Sequence, residues 1–184
     1  MKKLTTVIIA LVLFVLSGCN GEQSNEPYLY NAVINQTLRL GMTRDAVEAI
    51  LGEPKREISD YGFASCAYGG IHPSHIYIYY RNGLAARITL HTDYENNDWK
   101  LDGTIGIKDA SKSFLDKYKK AYRLKDDWYR TRYSNKNSEY VVYKPGNDFV
   151  EGEWDIELSV WFDESLEGVW IIQIEDFNCA VYLE

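Results

Sequence analysis

The chain is short of the residues that usually carry chemistry. Its 184 residues include only three cysteines, three histidines, two methionines and four prolines. The Ser-His-Asp order, the nucleophile elbow and the phosphate-binding loop are all missing, and Gly69-Gly70 precedes a proline-containing turn rather than opening a helix. Those absences leave an enzyme no foothold, and no cofactor is expected. Cationic side chains are also scarce: 20 Lys and Arg stand against 27 Asp and Glu, a net charge of −7. Such a surface repels nucleic acid and anionic headgroups. Nor is there a long hydrophobic run, because Val7 to Leu16 falls well short of the roughly 20 residues that cross a bilayer. What the chain has is bulk. At 46% hydrophobic and 14% aromatic it can bury a core, and its composition is not that of a disordered tail.

Met1-Lys2-Lys3 followed by the apolar run to Leu16 reads as an export signal. The quartet Leu16-Ser17-Gly18-Cys19 resembles the lipobox of bacterial lipoproteins, in which the cysteine is acylated and becomes the first residue. The resemblance implies cleavage of residues 1–18 and a palmitate- and diacylglycerol-type anchor on Cys19. Two or more acyl chains make membrane attachment stable where one is marginal. Loss of Lys2 and Lys3 would leave 18 cationic against 27 acidic side chains, a net −9. Residues 19–27 then form a solvated tether. Asn20 is not the aspartate that often marks inner-membrane retention, so the expected address is the cell membrane in a one-membrane host, or the periplasmic face of the outer membrane in a host with two. In that compartment Cys66 and Cys179 form an even pair. A bridge between them would contribute about 4–5 kcal/mol by the chain-entropy argument; the alternative is two buried thiols acting as small hydrophobes.

Folded structure is expected from Tyr28, in a first unit over 28–98 and a second over 99–184. Thr43 can cap a helix carrying the stripe Val47, Ile50 and Leu51, with Met42 placed to staple onto Val47, and Gly52 and Pro54 stop it. Two strands, Ser74–Arg81 and Leu84–His91, flank Asn82-Gly83, the strongest short hairpin signal. Ile76, Ile78 and Tyr80 face inward, and Tyr77 and Tyr79 outward. The order then repeats. Asp109 or Ser111 caps a helix with the stripe Phe114, Leu115 and Tyr118. Strands follow near 128–133 and 140–143, and a last hairpin runs 154–162 and 169–177 with Trp154, Ile156, Leu158, Val160 and Phe162 inward. The fold class expected is α+β, two helix-plus-antiparallel-sheet units with short helices packed on one face of the sheet.

Gly41-Met42-Thr43, Val47 and Leu51-Gly52-Glu53-Pro54 resemble the signature of the SmpA/OmlA (BamE-like) outer-membrane lipoproteins, which share an architecture with β-lactamase-inhibitory protein. The resemblance implies the fold, in tandem, and carries no partner-binding residue.

Three features could carry function. His72, His75 and His91, with Asp93, could converge as zinc ligands, but the same positions suit solvent-facing histidines. The acidic run Glu151 to Glu157 alternates with Trp154 and Ile156, which makes Asp155 and Glu157 the wet side of a strand. Tyr77, Tyr79 and Trp161 fall on the outer sheet face, where aromatics either anchor a partner or stabilise the sheet by cross-strand pairing. The reading is a non-enzymatic, lipid-anchored envelope protein that binds another protein and no nucleic acid. Its alternatives are a metal- or small-ligand-binding lipoprotein built on the histidine region, and a structural envelope component without a specific ligand.

Overall fold

The computed structural model describes residues 26–60, 63–69, 76–91, 98–125, 127–134, 138–141 and 156–176. Strands dominate. The chain runs β1 (Leu29–Asn31), β2 (Gln36–Leu38), α1 (Arg44–Leu51), β3 (Arg56–Asp60), β4 (Phe63–Tyr68), β5 (Ile76–Arg81), β6 (Leu84–His91) and β7 (Trp99–Leu101). It continues with α2 (Ser111–Lys117), β8 (Tyr122–Lys125), β9 (Trp128–Ser134), β10 (Glu139–Val141), β11 (Ile156–Phe162) and β12 (Val169–Asp176).

Each strongly patterned segment forms where its residues dictate. The Thr43 hydroxyl accepts the Ala46 N–H at 3.3 Å, and α1 ends at Gly52, whose φ of 77° is the left-handed geometry a side chain would strain. Asn82 and Gly83 both take positive φ, 51° and 76°, as a two-residue β5–β6 turn requires. The cap of α2 differs from expectation. Ala110 holds the N-cap with no side-chain bond, because Asp109 Oδ2 is taken by the Gly106 N–H at 2.7 Å and the Ser111 hydroxyl donates to Leu166 O.

The α+β expectation of two helix-plus-sheet units is corrected by the topology. A single nine-stranded sheet runs β10-β9-β11-β12-β6-β5-β4-β3, with β8 on β9, and a second sheet of three strands is ordered β2-β1-β7. Only two helices, of eight and seven residues, accompany them among the described residues. The physical reason is the seam between β6 and β12. Their antiparallel ladder from Ile171–His91 to Glu175–Arg87 joins the strands on either side into one sheet, and helices of two turns are too short to organise separate units.

One face of that sheet makes the core. Ile78, Ile88, Ile174 and Leu158 lie side by side across β5, β6, β12 and β11, each fully buried. Val47 of α1 and Phe114 of α2 are also fully buried in the same cluster, and Phe114 meets Phe162 edge to face at 6.1 Å. Leu29, Leu38 and Leu101 close the core from the smaller sheet.

Candidate functional site: the outer face of the large sheet

Side chains alternate along every strand, so the residues between the core positions share the opposite face. Register places them in three cross-strand rows. Arg132, Glu157, Glu175, Arg87 and Tyr79 lie opposite one another in sequence across β9, β11, β12, β6 and β5. The next row is Arg130, Ser159, Gln173, Thr89 and Tyr77, and the third is Trp128, Trp161, Ile171 and His91.

The centre of this face is ionic. Arg87 Nε donates to Glu175 Oε1 at 2.9 Å, and Gln173 Nε2 donates to the other oxygen at 2.8 Å. Arg130 Nε sits 2.9 Å from Glu157 Oε1 and 3.2 Å from Ser159 Oγ, while Arg132 Nε lies 3.7 Å from Glu157 Oε2. Both carboxylates are only 3% exposed. Burial pushes the Glu157 carboxyl above the ordinary glutamate range, helped by Glu175 directly opposite and resisted by Arg130, Arg132 and Arg87. Glu157 is therefore not the wet strand position expected from alternation. It faces outward but is closed off from solvent beside the guanidinium groups of Arg130 and Arg132.

Aromatics flank the ions. Trp128 and Trp161 stack with centroids 5.2 Å apart at 14°, and the Arg130 guanidinium lies 4.6 Å over Trp128. On the other side Arg87 lies 5.7 Å over Tyr79, and Tyr77 meets His91 edge to face at 6.4 Å. Tyr77, Tyr79 and Trp161 thus share one face, with Tyr77 the most open at 36% exposure. Part of the Trp161 ring is committed to its cross-strand neighbour, as sheet stabilisation requires.

The remaining candidates fall elsewhere. His91 ends β6, while His72, His75 and Asp93 lie outside the described residues, as do Cys19, Cys179, Trp154 and Asp155. Among the described residues no group of three or more His, Cys, Asp and Glu could hold a metal, and no helix is long and apolar enough to cross a membrane. Cys66 is a buried free thiol on the core face of β4, held above its usual range by desolvation. Near it the Tyr68 and Tyr80 hydroxyls pair at 2.8 Å, and burial pushes Tyr80 up to about 12. A groove of about 530 Å³ lies between the β5–β6 turn and the β11 start, lined by Leu40, Leu84, Ala86, Arg81 and Asp176. None of the sequence candidates lines it. The arginine–glutamate row was missed in the sequence because its members come from four strands, and the only local trace is Arg130 and Arg132 two apart on β9.

No family model matches the chain, and no curated protein matches it. Two solved structures are similar in shape. One is a cysteine-rich secretory protein from Staphylococcus aureus, 10% identical over 76% of this chain and 44% of that one, with a TM-score of 0.47. The other is an extracellular protein containing an SCP domain from Bacillus anthracis, 14% identical over 90% of this chain and 50% of that one, with a TM-score of 0.48. The chain spans about half the length of each of these proteins. The likeness to BamE-like lipoproteins and β-lactamase-inhibitory protein does not stand: no family model supports it, and one continuous nine-stranded sheet with two short helices replaces the expected tandem of helix-plus-sheet units. Residues 41–54 shape a capped helix, which is local geometry that many folds can use.

Proposed function

We propose that this protein is exported, anchored by lipid on Cys19 to the extracytoplasmic side of a membrane, and acts without catalysis by binding another envelope protein. The binding surface is the outer face of the large sheet. One observation carries this reading: Tyr77, Tyr79 and Trp161 fall on a single face, interleaved with Arg87 and Arg130. Tyrosine, tryptophan and arginine are the residues that dominate interface energetics, since they bring large contact area at small entropic cost.

The test replaces Tyr77, Tyr79 and Trp161 by alanine together in the acylated chain. Loss of the envelope protein captured by the wild-type chain, with an unchanged melting curve, is the expected result. A lower melting temperature with capture retained assigns these rings to sheet stability and refutes the binding role. Intact mass of the protein recovered from membranes checks the anchor, and an unacylated chain would refute that part.

A further inference from the structure

The β1–β2 turn is an exposed apolar tip in a protein otherwise rich in charge. Val33 is 73% exposed and Ile34 47%. From Tyr28 to Leu38 the sequence holds no charged residue. The turn is also closed on itself. The Asn31 side chain is only 7% exposed, and its Oδ1 accepts the Val33 N–H at 2.9 Å and the Ile34 N–H at 3.3 Å. Tyr30 Oη donates to Asn35 Oδ1 at 2.9 Å, and Asn35 takes the left-handed φ of 51° that the turn needs.

We propose that this tip is a membrane-contacting wedge, in which Val33 and Ile34 enter the headgroup–acyl boundary of the bilayer that holds Cys19. The inference rests on the lipid-anchor reading. Backbone donors are costly to carry into an apolar medium unless they are already paired, and here the two amides at the apolar residues are satisfied from within by Asn31. Reach is sufficient. Cys19 to Pro27 is nine residues, which extend to at most about 30 Å, and β1 adds only three residues between Tyr28 and the turn. The segment from Tyr28 to Leu38 carries no cation of its own, so contact from the tip comes from apolar burial and not from charge.

The acylated full-length chain is reconstituted in vesicles of phosphatidylethanolamine and phosphatidylglycerol that contain a phospholipid with a photoactivatable diazirine in its acyl chain. After irradiation, cross-links are mapped by mass spectrometry. Adducts at residues 32–35 are expected, falling by about tenfold in V33D/I34D as the apolar contact is lost, with its melting temperature unchanged. Adducts confined to the stretch beside Cys19 would show a chain that is anchored but whose tip stays in water, and would overturn the inference while leaving the anchor intact. A chain recovered without acyl groups would overturn the anchor reading itself. A V33D/I34D variant that cross-links at 32–35 as well as wild type would also overturn the inference, since the contact would then not depend on the two side chains.

Discussion

The seam between β6 and β12 makes a direct prediction about cooperativity. Ile174 is fully buried on β12, with Leu158 of β11 on one side and Ile88 of β6 on the other. Ile174→Ala removes three carbon groups at about 0.8 kcal/mol each. Strands on both sides cannot close the space left, so a cavity term adds to the loss and brings the total to about 3–4 kcal/mol. With a urea slope of about 1–3 kcal/mol per molar, the midpoint falls by at least about 1 M. Two reporters separate the halves of the sheet. Four of the five tryptophans lie beyond Trp99 of the small sheet, so in a Trp99→Phe background the fluorescence follows the second half, including Trp128 and Trp161 on β9 and β11. Alkylation of Cys66, buried in β4, followed by mass spectrometry of its peptide, reports the first half. In one cooperative sheet both midpoints move together. If the tryptophan transition shifts while Cys66 stays protected to the wild-type urea concentration, the halves unfold separately and the continuous sheet is not a thermodynamic unit.

Other substitutions test local links. Gly83→Ala is expected to cost about 1–2 kcal/mol through backbone strain at its φ of 76° alone, because a Cβ there meets nothing within 4 Å; a thermal melt unchanged from wild type would contradict the turn geometry. Thr43→Ala removes the α1 cap and is expected to cost about 1 kcal/mol, with Thr43→Ser restoring most of it. Glu157, raised in the fold, keeps its proton to higher pH than it does in the unfolded chain, so stability falls as pH rises from the ordinary glutamate value through the raised one. Glu157→Gln should flatten that segment of the stability–pH curve, measured by urea unfolding, and a curve that keeps its slope would refute the assignment. Asp163 acts in the opposite sense: Ser165 Oγ and the backbone N–H groups of Gly168 and Glu167 hold it below the usual aspartate range, so its contribution persists above that range and is lost only as pH falls through the lowered value.

Where the sequence carried a complete local signal, the structure matches it residue by residue. Helix α1 has a cap, a stripe and a left-handed stop within ten residues, and β6 covers Leu84–His91 as the Asn82-Gly83 turn requires, with alternation kept over Ala86–His91 and broken at Leu84 and Ala85 by the register shift opposite Tyr79 and Tyr80. The placement of Tyr77, Tyr79 and Trp161 on the outer face follows from the same period of two. Strands β1, β2 and β7 are three residues each, too short to show any period, and they went unseen. The second helix misled because Asp109 has a competing backbone donor, Gly106, three residues upstream. The architecture was misjudged for a different reason. Local patterns repeat in the order helix, hairpin, helix, hairpin, which suggests two units, whereas the pairing of β6 with β12 joins residues 80 or more apart and leaves no local mark.

That non-local seam explains why an ionic row is placed on the outer face. Slipping β12 by two residues against β6 keeps Ile172 and Ile174 facing the core, because a shift of two preserves the face that each side chain occupies. Apolar pattern alone therefore does not discriminate such slips. The buried carboxylates do. In the observed register Glu175 meets Arg87 and Glu157 meets Arg132, with Arg130 within 2.9 Å of Glu157; a slip of two would set Glu175 opposite Thr89 or Ala85 and strand a desolvated charge. Ion pairs of this kind add little net stability, since desolvation offsets most of the attraction, but breaking one costs about 3–5 kcal/mol. The row is then best understood as a register lock between strands that the chain brings together from far apart, and the aromatic residues beside it are held in fixed positions as a result.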